Sequence, residues 1–163
     1  VHFPDDFAPR ILPLLGGYYS DAISVNPIWS ASFAANTTHP IRRGVPAFDS
    51  RDEWYFNIRF APETDRITPI LQALPPDDLR FTPDAAQHAG RRETVAWTFN
   101  RSDGGRSFGF TGGHFHDNWG NEPFRRTIVN AVLWTAGIDI PTAGAAANID
   151  PAWLRQNLDP KGQ

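Results

Sequence analysis

Hydrophobic positions recur with a period of two in several short runs and with a helical period in others, and the changes of period lay out the elements. Trp54, Phe56, Ile58 and Phe60 alternate with Tyr55, Asn57 and Arg59, which predicts a half-buried strand. Val95, Trp97 and Phe99 alternate with Ala96 and Thr98. After the turn residues Arg101-Ser102-Asp103-Gly104-Gly105 the alternation resumes at Phe108 and Phe110, so the two runs predict a β-hairpin. Ile67 to Leu74 reads as a further strand. Phe124, Ile128 and Val132, flanked by Val129 and Leu133, predict a helix from Glu122 to Ala136, with Asn121 as N-cap, Pro123 in the first turn and Gly137 beyond the end. Asp6 to Leu15 carries Phe7, Ile11, Leu12 and Leu15 and stops at Gly16-Gly17, a second helical segment into which Pro13 intrudes. Tyr18 to Pro46 is turn-rich and reads as short strands and loops. Pro75 to Gly90 reads as a polar surface excursion with no site in its middle. Pro151 to Leu158 predicts a short terminal helix that docks through Trp153 and Leu158 after an alanine-rich linker.

The order of these segments is that of a mixed α/β chain, and 163 residues suffice for one core. The 15 prolines and 13 glycines keep the elements short. The formal charge is −3 and no run of lysine or arginine exceeds two residues, so nucleic acid is not an expected partner. No apolar stretch approaches the roughly 20 residues that span a bilayer, so no membrane anchor is expected. Cysteine is absent, which removes disulfides, zinc–thiolate sites and a cysteine nucleophile from these residues and leaves the compartment open. The abrupt Val1-His2-Phe3-Pro4 opening reads as a chain whose N-terminal part is missing.

Candidate chemistry concentrates in Gly109 to Trp119. The second hairpin strand runs into Thr111-Gly112-Gly113-His114 and a helix follows; in open α/β sheets that strand–loop–helix position is where ligands bind. Gly112 and Gly113 permit positive φ or close approach to a ligand. His114 and His116 supply side chains that ordinarily titrate near neutral pH and serve as acid, base or ligand. The plainer reading is a glycine turn with two surface histidines. A divalent metal such as zinc would take His114 and His116 and require a further ligand, for which His2 is the candidate. Asp52-Glu53-Trp54-Tyr55 joins two carboxylates to an aromatic pair, a combination suited to sugars: acids bond or transfer protons to hydroxyls while rings pack on C–H faces. Against this stands a solvated turn leading into a core strand. Asn26, Trp29 and His39 lie in the turn-rich region, where backbone groups need side-chain partners. Arg125 opposes the helix macrodipole unless an anion lies nearby, and an ordinary salt bridge explains it as well.

These residues also carry a resemblance. Gly16-Gly17-Tyr18, Val25-Asn26-Pro27-Ile28-Trp29, His39-Pro40-Ile41, Asp52-Glu53-Trp54-Tyr55, Ala96-Trp97 and Phe124-Arg125 resemble the ThuA-like (trehalose-utilisation) proteins of bacteria, and Gly104 to Trp119 is the most specific part. The resemblance implies a flavodoxin-like layered sheet with helices, similar to class I glutamine amidotransferases, over residues 1–141 with its N-terminal strands missing; residues 142–163 read from their composition as a linker and a short terminal helix. By the same resemblance Val1-His2 would end the strand that carries the nucleophile in amidotransferases. The residues present hold no cysteine, and no glutamate follows His114 or His116 by two residues, so the amidotransferase triad is not expected.

Two functions follow as expectations. The first is an enzyme of carbohydrate metabolism that hydrolyses or isomerises a sugar derivative, with His114, His116 and Glu53 catalytic and Asn26, Trp29, His39, Asp52, Trp54, Tyr55, Asn118, Trp119 and Arg125 contacting a small carbohydrate. The alternative is a non-catalytic sugar-binding or interaction module that uses Trp29, Trp54, Tyr55 and Trp119. A sheet lacking its central strands would expose edges that a second copy can cover, hence the expectation of a homodimer.

Overall fold

Glu93 to Asn100 forms the best-covered strand because both of its faces are occupied: in the computed structural model, which describes residues 4–35 and 38–156, Glu93 and Val95 through Phe99 are all buried. Numbered in chain order, the strands are β1 (Gly17–Tyr18), β2 (Trp29–Phe33), β3 (Phe48–Asp52), β4 (Arg59–Phe60), β5 (Ile67–Ala73), β6 (Glu93–Asn100) and β7 (Arg106–Phe110). They form three small sheets, β1-β4, β2-β3 and β5-β6-β7, and every strand pair among the described residues is antiparallel. The helices are α1 (Ala8–Leu15), α2 (Pro83–Ala86) and α3 (Glu122–Thr135), so the chain is mixed α/β. No helix among the described residues is long and apolar enough to cross a membrane.

The β6–β7 hairpin forms as its alternation predicts, with Ala96 opposite Phe110 and Asn100 opposite Arg106. Its turn is closed by Asp103, whose Oδ1 accepts from the Gly105 N–H at 2.8 Å. On the other side β5 pairs with β6, and the register slips between Pro69 and Leu71, where proline has no N–H to give the ladder. In β2 and β3, Trp29, Ala31 and Phe33 and then Phe48, Ser50 and Asp52 face inward, while the residues between them are exposed. This phase puts the carboxylate of Asp52 at a core position.

The strand expected from Trp54 to Phe60 is not one element. Trp54 and Phe56 are buried as the alternation requires, but Asn57 sits at φ 54° and breaks the extended chain. The Asn57 amide donates to the Ile23 carbonyl at 2.8 Å and to Asp84 at 2.7 Å, and its backbone N–H reaches Glu93 at 3.3 Å. The segment thus leaves β3, forms a single bridge between Phe56 and Val25, and re-enters a sheet only at β4. The excursion from Pro75 to Gly90 is likewise more than surface. It delivers Arg80, 4% exposed, to Glu93 at 2.6 Å.

The two longer helices, α1 and α3, stop where glycine allows. Gly16, at φ 74°, returns its N–H to the Leu12 carbonyl, and Gly137, at φ 73°, follows α3. Asn121 caps α3 by accepting from the Phe124 N–H. The buried row of α3 is Phe124, Thr127, Ala131 and Trp134, rotated from the expected Phe124, Ile128, Val132 row, and Val132 is 61% exposed. Polar residues can take the buried side because each is satisfied: Asn130 donates to the carbonyls of Ile41 and Arg43 and accepts from the Ala145 N–H. The tail beyond α3 lies back on it, burying Ile140, Ala145 and Ala147, and ends in a 3-10 turn, Pro151–Arg155. Trp153 is exposed rather than docked, and Leu158 lies outside the described residues.

Candidate functional site

Asp52, at the inward end of β3, is fully buried. Its Oδ1 accepts from the backbone N–H groups of Glu53 at 2.8 Å, His114 at 3.0 Å and Phe115 at 3.3 Å. Its Oδ2 accepts from Gly113 N–H at 2.7 Å and from the Asn118 amide at 2.9 Å. A buried carboxylate is tolerated when donors surround it, and here all but the Glu53 N–H come from the loop after β7. The backbone follows suit: Gly113 takes φ 102°, and a Cβ on Gly112 would lie 2.4 Å from the Trp54 ring. The two glycines therefore fit the loop to Asp52 and Trp54.

That loop brings His114 to the other carboxylate. His114 Nδ1 lies 2.9 Å from Glu53 Oε2, with the histidine half exposed and Glu53 largely covered. An ionised carboxylate has no proton to give, so Nδ1 carries the hydrogen and Nε2 is the acceptor in the neutral ring. Glu53 is held in turn by the Asn26 amide at 3.2 Å and the Tyr55 hydroxyl at 3.4 Å, and Tyr19 donates to the Asn26 oxygen at 3.2 Å. The Tyr19 and Tyr55 rings are 5.1 Å apart. Burial, followed by the charges of Asp21 and Glu53, raises the Tyr19 phenol above its usual range. Burial and the neighbouring Glu53 raise that of Tyr55. Glu53, Tyr55, Phe110, Thr111, Gly112, Gly113 and His114 line a cavity of about 330 Å³. The Thr111 hydroxyl is committed to the Tyr55 carbonyl at 3.0 Å.

Asn26, Glu53, Tyr55 and His114 are thus brought together, with Asp52 and Asn118 beneath them. The other expected residues lie elsewhere. His116 turns to the tail, with Nε2 at 3.1 Å from the Leu154 carbonyl. Trp29 and Trp54 are core residues whose indole N–H groups reach the Trp54 and Ser50 carbonyls. Trp119 packs edge-on to Phe124, and Arg125, buried, donates to the Ala147 and Trp119 carbonyls rather than to an anion. His39 caps the 3-10 turn Pro40–Arg42 by accepting from the Ile41 N–H. His2 lies outside the described residues. The chemistry of a metal site is only partly present: His114 and Glu53 offer two donors. Among the described residues no three His, Cys, Asp or Glu side chains gather as a metal ion requires.

Tyr19 was not singled out by sequence reasoning. Its one signal is its place after the Gly16-Gly17 helix stop, which delivers it beside Asn26. The division of labour between Asp52 and Glu53 also depends on the phase of β3, and the strand expected further along the chain obscured that phase.

A family model described as ThuA, trehalose utilisation, matches residues 7–135 and so includes every residue of this site. No curated protein and no solved structure matches the chain. With most of its length matched, the chain belongs to the ThuA trehalose-utilisation family.

Proposed function

We propose that the chain is an acid–base catalyst acting on a sugar derivative in trehalose utilisation, with His114 as the proton-transferring group and Glu53 as its orienting partner. The observation that carries this reading is the 2.9 Å contact between His114 Nδ1 and Glu53 at the wall of a cavity. Glu53 fixes the tautomer and steadies the imidazolium that forms when Nε2 takes a proton from a sugar hydroxyl or from an attacking water. Asn26 and Tyr55 hold Glu53, while Tyr55 and Phe110 offer ring faces to a sugar. The Thr111 hydroxyl is already spent on a carbonyl, which favours proton transfer over a covalent intermediate on that residue. His116, directed to the tail, takes no part.

We also propose that the α/β unit keeps the strand–loop–helix order of a flavodoxin-like layer, although such a layer is a parallel sheet and the strand pairs among the described residues are all antiparallel. What supports this is the run from β7 through the Gly112-Gly113-His114 turn into α3, with the cavity beyond the carboxyl end of a strand.

Turnover of trehalose and its oxidised derivatives by wild-type protein and by His114→Ala and Glu53→Gln tests the assignment. His114→Ala should lower kcat by about 10²–10⁴-fold, the usual contribution of a positioned acid or base, with a smaller loss for Glu53→Gln. Undiminished kcat in His114→Ala would remove His114 from the chemistry.

A further inference from the structure

We propose that this cavity is built for an uncharged sugar and turns away phosphorylated or carboxylated ones, an inference that rests on the assignment of Glu53 and His114 above. Backbone amides following a glycine turn ordinarily make an anion-binding nest, and Gly112-Gly113-His114 has that form. Here the nest is already filled from within. The N–H groups of Gly113, His114 and Phe115 and the Asn118 amide all point to the buried carboxylate of Asp52, so none is left to receive a ligand's phosphate.

The charge around the cavity has the same sense. None of its lining residues is lysine or arginine, and Glu53 stands in the wall directly after Asp52. Among the described residues, the one cationic form available to the lining is protonated His114, which Glu53 faces at 2.9 Å. Arg51, on β3 next to Asp52, lies over the Phe115 ring at 5.3 Å and is not part of the lining. Burial first, and the neighbouring acids second, hold the Tyr19 and Tyr55 phenols above their usual range, and the acid contribution has the same sign as the charge of the wall. A ligand anion entering this space meets the Glu53 carboxylate, with that of Asp52 buried behind it, and the Gly113, His114, Phe115 and Asn118 donors that could replace the water it sheds are already taken.

The test is a titration of the intact chain, followed by the ring resonances of His114 in a histidine-labelled sample and assigned with His114→Ala. The four probes are glucose, trehalose, glucose 6-phosphate and glucuronate, at about 10 mM and about 150 mM salt, where the Debye length falls from about 30 Å to about 8 Å. Glucose or trehalose should shift His114, and glucose 6-phosphate and glucuronate should bind at least about tenfold more weakly at low salt. That gap should narrow at the higher salt and in Glu53→Gln, which removes one of the two charges. Equal or tighter binding of the phosphorylated sugar overturns the selectivity and leaves the acid–base assignment standing. A gap unchanged in Glu53→Gln and by salt overturns its electrostatic origin. Silence of His114 toward all four probes overturns the sugar-site reading itself.

Discussion

Asp52 and Glu53 are neighbours with the same functional group, yet the fold separates their tasks because successive residues at a strand end point to opposite sides. Asp52 turns inward and holds the loop by its backbone; Glu53 turns toward the cavity and holds the imidazole ring. Removing the first carboxylate strands several buried N–H groups at once. Asp52→Ala should therefore cost about 3 kcal/mol, within the range for breaking a buried charged network, and also displace His114 from Glu53. Urea unfolding measures the loss, and a change below about 0.5 kcal/mol would show that water replaces the carboxylate without difficulty. Gly112→Ala tests the fit of the same loop from the other side. Its Cβ would meet the fully buried Trp54 ring at 2.4 Å, so about 1–3 kcal/mol of overpacking is expected, read as a fall in Tm. The residue types of this site were legible in the sequence: Asp52, Glu53, Gly112, Gly113 and His114 all stood out. Their roles were not, because a carboxylate's task depends on which side of β3 it leaves. The direction of His116, likewise, is set by Leu154, 38 positions away.

At the scale of elements, local signals succeeded where the structure is local. The β6–β7 hairpin, the Asn121 cap and the Gly16 and Gly137 stops all appear where turn and cap chemistry put them. Periodicity misled at Trp54 to Phe60, because the positive φ of Asn57 is imposed by Asp84, Arg91 and Glu93, which no window around residue 57 contains. It misled again on α3, where Asn130 displaces apolar side chains from the buried row by meeting carbonyls of the Pro40–Arg42 turn and its flank. The same turn carries a pH dependence. His39 accepts from Ile41 N–H and lies against Trp134, the ring centroids 5.2 Å apart. Burial, then the charge of Arg106, lowers its pKa below the ordinary 6.5. A folded-state pKa below the unfolded value means the neutral ring is the one that fits. The contribution to stability is full above about pH 6.5 and is lost as the pH falls through 6.5 toward the folded-state value. The wild type should thus lose more stability between pH 7.5 and pH 5 than His39→Asn, whose side chain can cap the turn without titrating. Equal pH slopes for the two proteins in urea melts would exclude His39 as the source.

Across the whole molecule, three small antiparallel sheets have to be held in one arrangement, and a buried polar knot joins one of them, through Glu93 of β6, to the excursion and to the Asn57 turn that leads into β4. Arg80 and Glu93 have side chains 1% and 5% exposed, and their 2.6 Å ion pair links the Pro75–Gly90 excursion to β6. Arg91 adds a second cation at 3.0 Å from Glu93, and Glu93 also receives the N–H of Asn57, the residue that turns the chain from Phe56 toward β4. The position of Glu53 and Tyr55 in the cavity wall is set four and two residues upstream of that turn, so the knot reaches the site through the backbone. Removing one partner of such a pair leaves the other charged and dry. Glu93→Ala should therefore destabilise by about 3–5 kcal/mol. The double replacement Arg80→Met with Glu93→Leu leaves no buried orphan charge, because the partners it releases, Arg91 and Asp77, have side chains 42% and 53% exposed and stay solvated; it should cost less than Glu93→Ala alone. Urea melts of the wild type, Arg80→Met, Glu93→Leu and the double variant close this cycle. If the double variant is as unstable as the sum of the singles, the two side chains act independently and the knot is not what fixes Asn57. A milder double variant that still displaces His114 from Glu53 would locate the positioning role in the Glu93 contact to the Asn57 N–H.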